Sequence, residues 1–249
     1  DDNERALAEG LAGQPLNHPE MPDWVRLEYP AWLDGSLRRL WGRRLHAEMA
    51  ALNRPAPLDL RVNTCLASVD EARKALAAEG CEARPTPFSS VGLRLEARPN
   101  LRGTTAFLGG LVEVQDEGSQ LIALLVGAAP GMTVVDYCAG AGGKTLALAA
   151  AMTRDGRLDG RLAACDVAAD RLARMEGRLR RARIEGVECR PLEDAGDAWL
   201  EERAASADRV LLDVPCSGTG TWRRRPDARW RLTADGLEAE CGRQRRLLD

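Results

Sequence analysis

The sequence predicts an α/β protein: a parallel-sheet core over residues 111–249, a small α+β segment over 58–110, and a helical segment over 1–57. Two observations carry this. After residue 130, short strand-like runs alternate with helical ones, the rhythm of parallel strands joined by right-handed crossovers. Four of those runs also lead into an aspartate, and in an open parallel sheet the carboxyl ends of the strands share one edge.

Taken in order, residues 1–57 are rich in Leu, Ala, Trp and Arg and read as short helices. Trp24, Trp32 and Trp41 are read there as helix-packing anchors, with nucleobase stacking as the alternative. Leu60-Arg61-Val62-Asn63 alternates as a strand does. Ser68-Val69-Asp70-Glu71 is a capping box, opening a helix that Gly80 stops. Strand-like pieces at Leu93–Leu95 and Val112–Val114 follow the Pro85/Pro87 break, giving a β-α-β-β piece that fits a partial ferredoxin-like or RRM-like sheet. Beyond it, Gly118–Val126 reads as helix and Met132–Asp136 as a buried strand. Lys144–Met152 is a helix, Arg161–Asp166 a strand, and Ala169–Ala182 a long amphipathic helix. Val187–Arg190, leading to Asp194, and Arg209–Asp213 complete the strands.

Composition excludes several partners. The formal net charge is -3, so no global cationic field announces a nucleic acid. Lys74 and Lys144 are the only lysines; with so much Ala, Gly and Leu, the arginine bias reflects a GC-rich gene more than selection for RNA contacts. The seven cysteines stand singly, without a C-x-x-C pair or a signal peptide, so reduced thiols in a cytoplasm are expected. His18 and His46 are too few for a zinc site, and no metal is expected. No apolar run reaches the ~18 residues of a membrane span.

The chemistry gathers at the strand ends. Asp136, Asp166, Asp194 and Asp213 arrive at one edge. A single acid after a strand is as readily a helix cap, but four together point to a ligand crevice. The first strand runs into Cys138-Ala139-Gly140-Ala141-Gly142-Gly143-Lys144-Thr145, a loop suited to an anion at a helix N-terminus. A phosphate-binding P-loop fails because Cys138 stands where its first Gly must be, and a dinucleotide fingerprint fails at Thr145. A carboxylate ligand remains, such as the methionine end of S-adenosylmethionine, with Asp166 placed for ribose hydroxyls. The fourth strand gives Asp213-Val214-Pro215-Cys216-Ser217-Gly218-Thr219-Gly220, which sets a cysteine at the mouth of that crevice. Cys65, Cys81, Cys165, Cys189 and Cys241 lack such surroundings and default to small buried hydrophobes.

The stretches 136–145 and 213–220 together resemble the Sun/Nop family of RNA 5-methylcytosine methyltransferases, which carry a Rossmann-like class I methyltransferase core. Val114-Gln115-Asp116-Glu117-Gly118-Ser119-Gln120, Arg223-Arg224-Arg225-Pro226-Asp227 and Trp230 extend the resemblance, and residues 30–110 match more loosely the RRM-like domain that precedes this core. The resemblance implies S-adenosylmethionine as cofactor and RNA, ribosomal RNA in bacterial members, as partner. Cys138, Ala139, Gly140, Gly142, Gly143 and Lys144 would cradle the methionyl end, Asp166 the ribose and Asp194 the adenine side. Asp213 would lie between cofactor and target base, and Arg223, Arg224 and Arg225 would meet RNA or form a solvated loop. In this family a thiolate adds to carbon 6 of cytosine so that carbon 5 can attack the sulfonium methyl, after the base leaves its stack. The Pro-Cys cysteine, Cys216 here, helps release product, while the nucleophile lies in a Thr-Cys-Ser segment on the next strand.

No Thr-Cys-Ser occurs in these 249 residues; Cys65 follows Thr64 but precedes Leu66. The chain opens on Asp1 and closes on a helix-like stretch, so a fragment short of its catalytic machinery, with an exposed apolar sheet edge, is expected. Three other readings stand beside this one: a DNA cytosine methyltransferase, disfavoured by Ser217 after Pro-Cys; a non-catalytic RNA-binding module; and a P-loop NTPase, weakened by Cys138.

Overall fold

The computed structural model describes residues 2–13, 18–193, 197–203 and 205–248. The chain falls into two compact units, one from the N-terminus to Ala56 plus Ser217–Ala239, the other Pro57–Cys216 plus the end of the chain from Glu240.

The first unit is helical: α1 (Asp2–Leu11), α2 (Asp23–Arg26), α3 (Asp34–Trp41), α4 (Leu45–Leu52) and α11 (Ala228–Arg231). Tyr29, Leu45, Met49 and Trp222 are buried at its centre, and Trp24 and Trp41 pack on them as anchors do. Trp32 is 39% exposed, with its indole N–H donated to the Leu232 carbonyl. Residues 217–239 were expected to continue the sheet-bearing core. They pack here instead, because Trp222 fills the apolar centre and Arg229 is buried beside it. Arg229 donates to the Glu28 carbonyl and to Asn53 Oδ1, both at 2.7 Å, and its guanidinium lies 5.2 Å from the Trp222 ring. Burial lowers its pKa.

The second unit holds two sheets. The smaller comprises β1 (Leu58–Val62), β2 (Ala83–Pro85), β3 (Gly92–Leu95) and β4 (Val112–Val114), antiparallel in the order β2-β3-β1-β4. The expected boundary at 110 cuts this sheet, since β4 pairs with β1 through Leu60 and Val114. Helices α5 (Val69–Ala78) and α6 (Thr105–Leu108) complete a β-α-β-β-α-β order. At the start of α5 the Ser68 amide donates to Glu71 Oε2 at 2.8 Å, while the Glu71 amide donates to Ser68 Oγ at 3.3 Å. That reciprocal cap is the one the sequence predicts. Leu60, Val62, Leu76, Leu93 and Val112 form the core of this sheet.

The larger sheet is parallel, ordered β10-β5-β8-β9, from β5 (Thr133–Asp136), β8 (Arg161–Asp166), β9 (Val187–Pro191) and β10 (Arg209–Leu211). A two-stranded hairpin, β6 (Thr153–Arg154) with β7 (Arg157–Leu158), stands apart from it. Helix α7 (Glu117–Leu125) leads into the sheet; α8 (Gly143–Met152) and α9 (Ala169–Ala182) pack on one face and α10 (Ala198–Glu202) on the other. The amphipathic reading of α9 is met by Leu172, Met175, Leu179 and Ala182, buried on one side. The strand order steps from β5 outward to β9, then returns to the opposite side of β5 with β10. That reversal places a crevice between the carboxyl ends of β5 and β10. β10 is an edge strand two residues shorter than the sequence suggests, with Val210 exposed, so Asp213 sits in the loop beyond it.

Candidate functional site at the strand switch point

The loop after β5 is built around two glycines. Gly140 and Gly142 adopt φ of 56° and 80°, and Gly142 caps α8 in the left-handed conformation. The Gly140 amide donates to Asp166 Oδ2 at 2.8 Å, tying the loop to the end of β8. The other Asp166 oxygen accepts from the Ala168 amide at 2.8 Å, so this carboxylate shapes two backbone turns besides facing the crevice. Asp136 is buried; its Oδ2 accepts from Thr145 Oγ1 at 2.7 Å, which fastens β5 to α8. Its Oδ1 has no partner among the described residues, and burial raises the carboxyl to about 6, overriding the Thr145 bond and Lys144. Lys144, at the first turn of α8, pairs with Asp213 Oδ2 across the switch point.

Asp166 and Asp213 border a cavity of about 690 Å³. Cys138, Ala139, Asp166, Asp213 and Cys216 line it, so five residues expected at the site are brought together. Lys144 reaches the rim through Asp213, and Gly140, Gly142 and Gly143 shape the loop behind it. Asp194 lies outside the described residues. Burial pushes the Cys138 thiol up to about 11 and the Cys165 thiol to about 12, so both stay protonated and unreactive near neutrality. Cys216 is exposed at the cavity.

Other lining residues were not anticipated. Tyr137, Val167 and Leu192 each follow the last residue of a strand; the sequence assignments imply this for the first two, while β9 runs one residue beyond the expected Arg190. Arg171, on α9, comes within 3.9 Å of Asp166. Arg243 and Leu247 lie one turn apart on α12 (Ala234–Leu248), where Gln244 donates to the Pro215 carbonyl at 2.8 Å. Nothing in the periodicity of that helix marks them.

The arginines expected to meet RNA belong to the other unit. Arg223 donates to the carbonyls of Arg54 and Pro55, at 3.1 and 2.8 Å, and so closes a loop onto the end of α4. Arg224 and Arg225 are exposed. Among the described residues no cluster of acids, cysteines or histidines could hold a metal, and no helix is long and apolar enough to cross a membrane.

The donors present fit an amino-acid-bearing nucleoside such as S-adenosylmethionine. They combine acids at the end of β8 and just beyond β10, the unsatisfied amides of a helix N-terminus, and a cavity of ligand size.

Comparison with known proteins agrees with this fold. The family model described as 16S rRNA methyltransferase RsmB/F matches residues 123–249, and that of the RsmF/B-like ferredoxin-like domain matches 29–102. The chain is 36% identical over 252 residues to a ribosomal RNA small subunit methyltransferase B of Pseudomonas putida, covering 98% of this chain and 54% of that protein. It is 37% identical over 224 residues to the protein of that name from Xanthomonas campestris, covering 89% and 49%. A methyltransferase homolog of Pyrococcus horikoshii superposes with a TM-score of 0.76 at 30% identity, over 93% of this chain and 72% of the other. The chain thus spans about half the length of the curated relatives it matches.

Proposed function

The chain belongs to the 16S rRNA methyltransferase RsmB/F family, and from that premise we propose that its crevice holds S-adenosylmethionine for methylation of carbon 5 of a cytosine in RNA. Ribosomal RNA is the proposed substrate, as the names of the relatives suggest. The carrying observation is the meeting at one cavity of Asp166, from the end of β8, with Asp213 and Cys216, from the loop after β10, Lys144 of α8 being paired with Asp213.

The assignment follows the chemistry of each side chain. The first-turn amides of α8 and Lys144 suit the methionyl carboxylate. Asp166 retains lone pairs for ribose hydroxyls, since each oxygen has only one backbone partner here. Asp194 is proposed for the adenine side. Lys144 pairs with the Asp213 carboxylate, which lines the same cavity as Cys216; Asp213 is proposed to lie between cofactor and target base and to accept hydrogen bonds from the flipped-out base. When bound, the cofactor supplies an electrophilic sulfonium methyl. Cys216 is proposed to act in product release. Arg224 and Arg225, with Arg223 securing their loop, are proposed to contact RNA phosphates. The seven described cysteines are free thiols, in keeping with a cytoplasmic setting.

Because these 249 residues contain no Thr-Cys-Ser segment, the chain is proposed to bind cofactor without completing transfer. The test combines tritiated S-adenosylmethionine, unmodified ribosomal RNA and the chain, with cofactor binding measured calorimetrically in parallel. Binding without incorporation supports the proposal. Incorporation into cytosine would overturn the inactivity and make Cys216 the candidate nucleophile. No cofactor binding would overturn the whole reading.

A further inference from the structure

The polar face of the small sheet is occupied in an unexpected way. Arg61, on β1, is 4% exposed, yet among the described contacts its guanidinium bonds only neutral oxygens. Its Nη1 donates to Gln115 Oε1 and, at 2.7 Å, to the carbonyl of Gly143 in the loop that opens α8. A second arginine does likewise: Arg178, on α9, donates to the Ala141 carbonyl. Glu113, on β4, steadies Arg178 at 3.4 Å and also accepts from Arg181. Two loop carbonyls are therefore held from behind by cations rooted outside the loop.

Holding a carbonyl also aims an amide. A trans peptide is planar, so fixing the Gly143 C=O toward Arg61 turns the Lys144 N–H the opposite way. The Lys144 amide is among the first-turn donors that α8 itself leaves unsatisfied. The Ala141 carbonyl is coupled to the Gly142 amide by the same rule. Burying a guanidinium with no carboxylate in contact is costly, and burial pulls Arg61 down to about 10, still protonated near neutrality. A costly cation with one of its two bonds on this loop, the other going to Gln115, has its return in what the loop binds.

We propose that Arg61 and Arg178 are positioning residues: they hold the Gly143 and Ala141 carbonyls so that the loop amides are preset for the carboxylate end of the cofactor, and the small sheet thereby tunes cofactor affinity. This rests on the functional reading above for the ligand, though not for the geometry of the loop.

The experiment uses the whole chain and its Arg61→Gln, Arg61→Lys and Arg178→Gln variants, with two ligands measured calorimetrically. S-adenosylmethionine carries the amino-acid end; 5′-methylthioadenosine lacks it. Arg61→Gln is expected to weaken the first about tenfold, the loss of one charge-assisted hydrogen bond, and to leave the second unchanged, with Arg61→Lys recovering part of the loss. Equal loss for both ligands, or no loss for either, overturns the inference. Amide hydrogen exchange on the ligand-free proteins gives an independent reading. Faster exchange over residues 140–144 with β9 unaltered is expected, and an unaltered loop overturns the inference. If Arg61→Gln fails to fold, Arg178→Gln, at a partly exposed site, carries the same expectations. An unmodified chain that binds neither ligand would sink the functional proposal alone, and the exchange data would still decide this one.

Discussion

The two loop glycines share a motif and a left-handed backbone, yet the structure assigns them different costs on replacement by alanine. At Gly142 an added Cβ would lie 2.4 Å from Met175 Cγ and 2.7 Å from its Sδ. Met175 is fully buried in the sheet core and cannot withdraw. Gly142→Ala therefore combines a left-handed alanine, about 1 kcal/mol, with overpacking of about 1–3 kcal/mol; a loss of roughly 2–4 kcal/mol follows. At Gly140 the Cβ would approach Arg171 Nη2 at 2.5 Å, the far end of a flexible, exposed side chain. That tip can swing away, so Gly140→Ala should cost only the backbone share of about 1 kcal/mol. Urea unfolding of the two variants measures the difference. A double-mutant cycle sharpens it, because Met175→Ala removes the obstructing atoms. The Gly142→Ala/Met175→Ala pair should be less destabilised than the sum of its singles by about 1–3 kcal/mol. Equal costs at the two glycines, or additivity in the cycle, would refute the assignment of Met175 as the obstacle.

Three further outcomes are expected. Asp136 has a folded-state pKa of about 6 against an ordinary 3.8, so the folded chain binds the extra proton and its ionised form costs stability above that range. Asp136→Asn cannot titrate, so its stability relative to the parent should fall by about 2 kcal/mol between pH 7 and pH 4; a pH-independent difference in urea midpoints would refute this. Arg229→Met keeps bulk against Trp222 but strands the Glu28 carbonyl and Asn53 Oδ1, and should lose about 2 kcal/mol in the same assay. Alkylation near neutral pH, read by mass spectrometry, should mark the exposed Cys216 and Cys241 and spare Cys138 and Cys165; S-adenosylmethionine should protect Cys216 but not Cys241, and labelling of Cys138 before Cys216 would contradict the burial that raises its pKa.

Much of the site was legible because its signals are local. A strand that ends in an acid and runs into glycines fixes where the crevice opens, and Asp136, Asp166 and Asp213 stand at those ends or just beyond one. The capping box at Ser68 and the buried side of α9 are equally local and appear as read. What escaped the sequence depends on pairing between distant segments. Arg243 and Leu247 reach the cavity only because α12 returns to the β10 loop, and one exposed helix face looks like another in sequence. The stretch 217–239 follows a strand loop and so reads as part of the sheet-bearing core. Its place is decided by Trp222, a single large side chain that buries better among the N-terminal helices.

The small sheet shows how alternation can be read correctly and still mislead. Leu58-Asp59-Leu60-Arg61-Val62 alternates apolar with polar, and a sheet with one polar face suggests a wet surface, the kind an RRM-like domain offers to bases. Yet Asp59 and Arg61 are 3% and 4% exposed. Arg94 meets Asp59 through two bonds of 2.7 and 2.9 Å, and Glu117 accepts from the Phe88 and Ser89 amides on the same side. Arg61 and Glu113 reach the loop and helix of the parallel sheet. Alternation reports the chemistry of a face and is silent on whether water or protein covers it. Here the polar face is spent on internal partners, so bases have no open platform on β1, and the RNA contact proposed for this chain is to be sought on other surfaces.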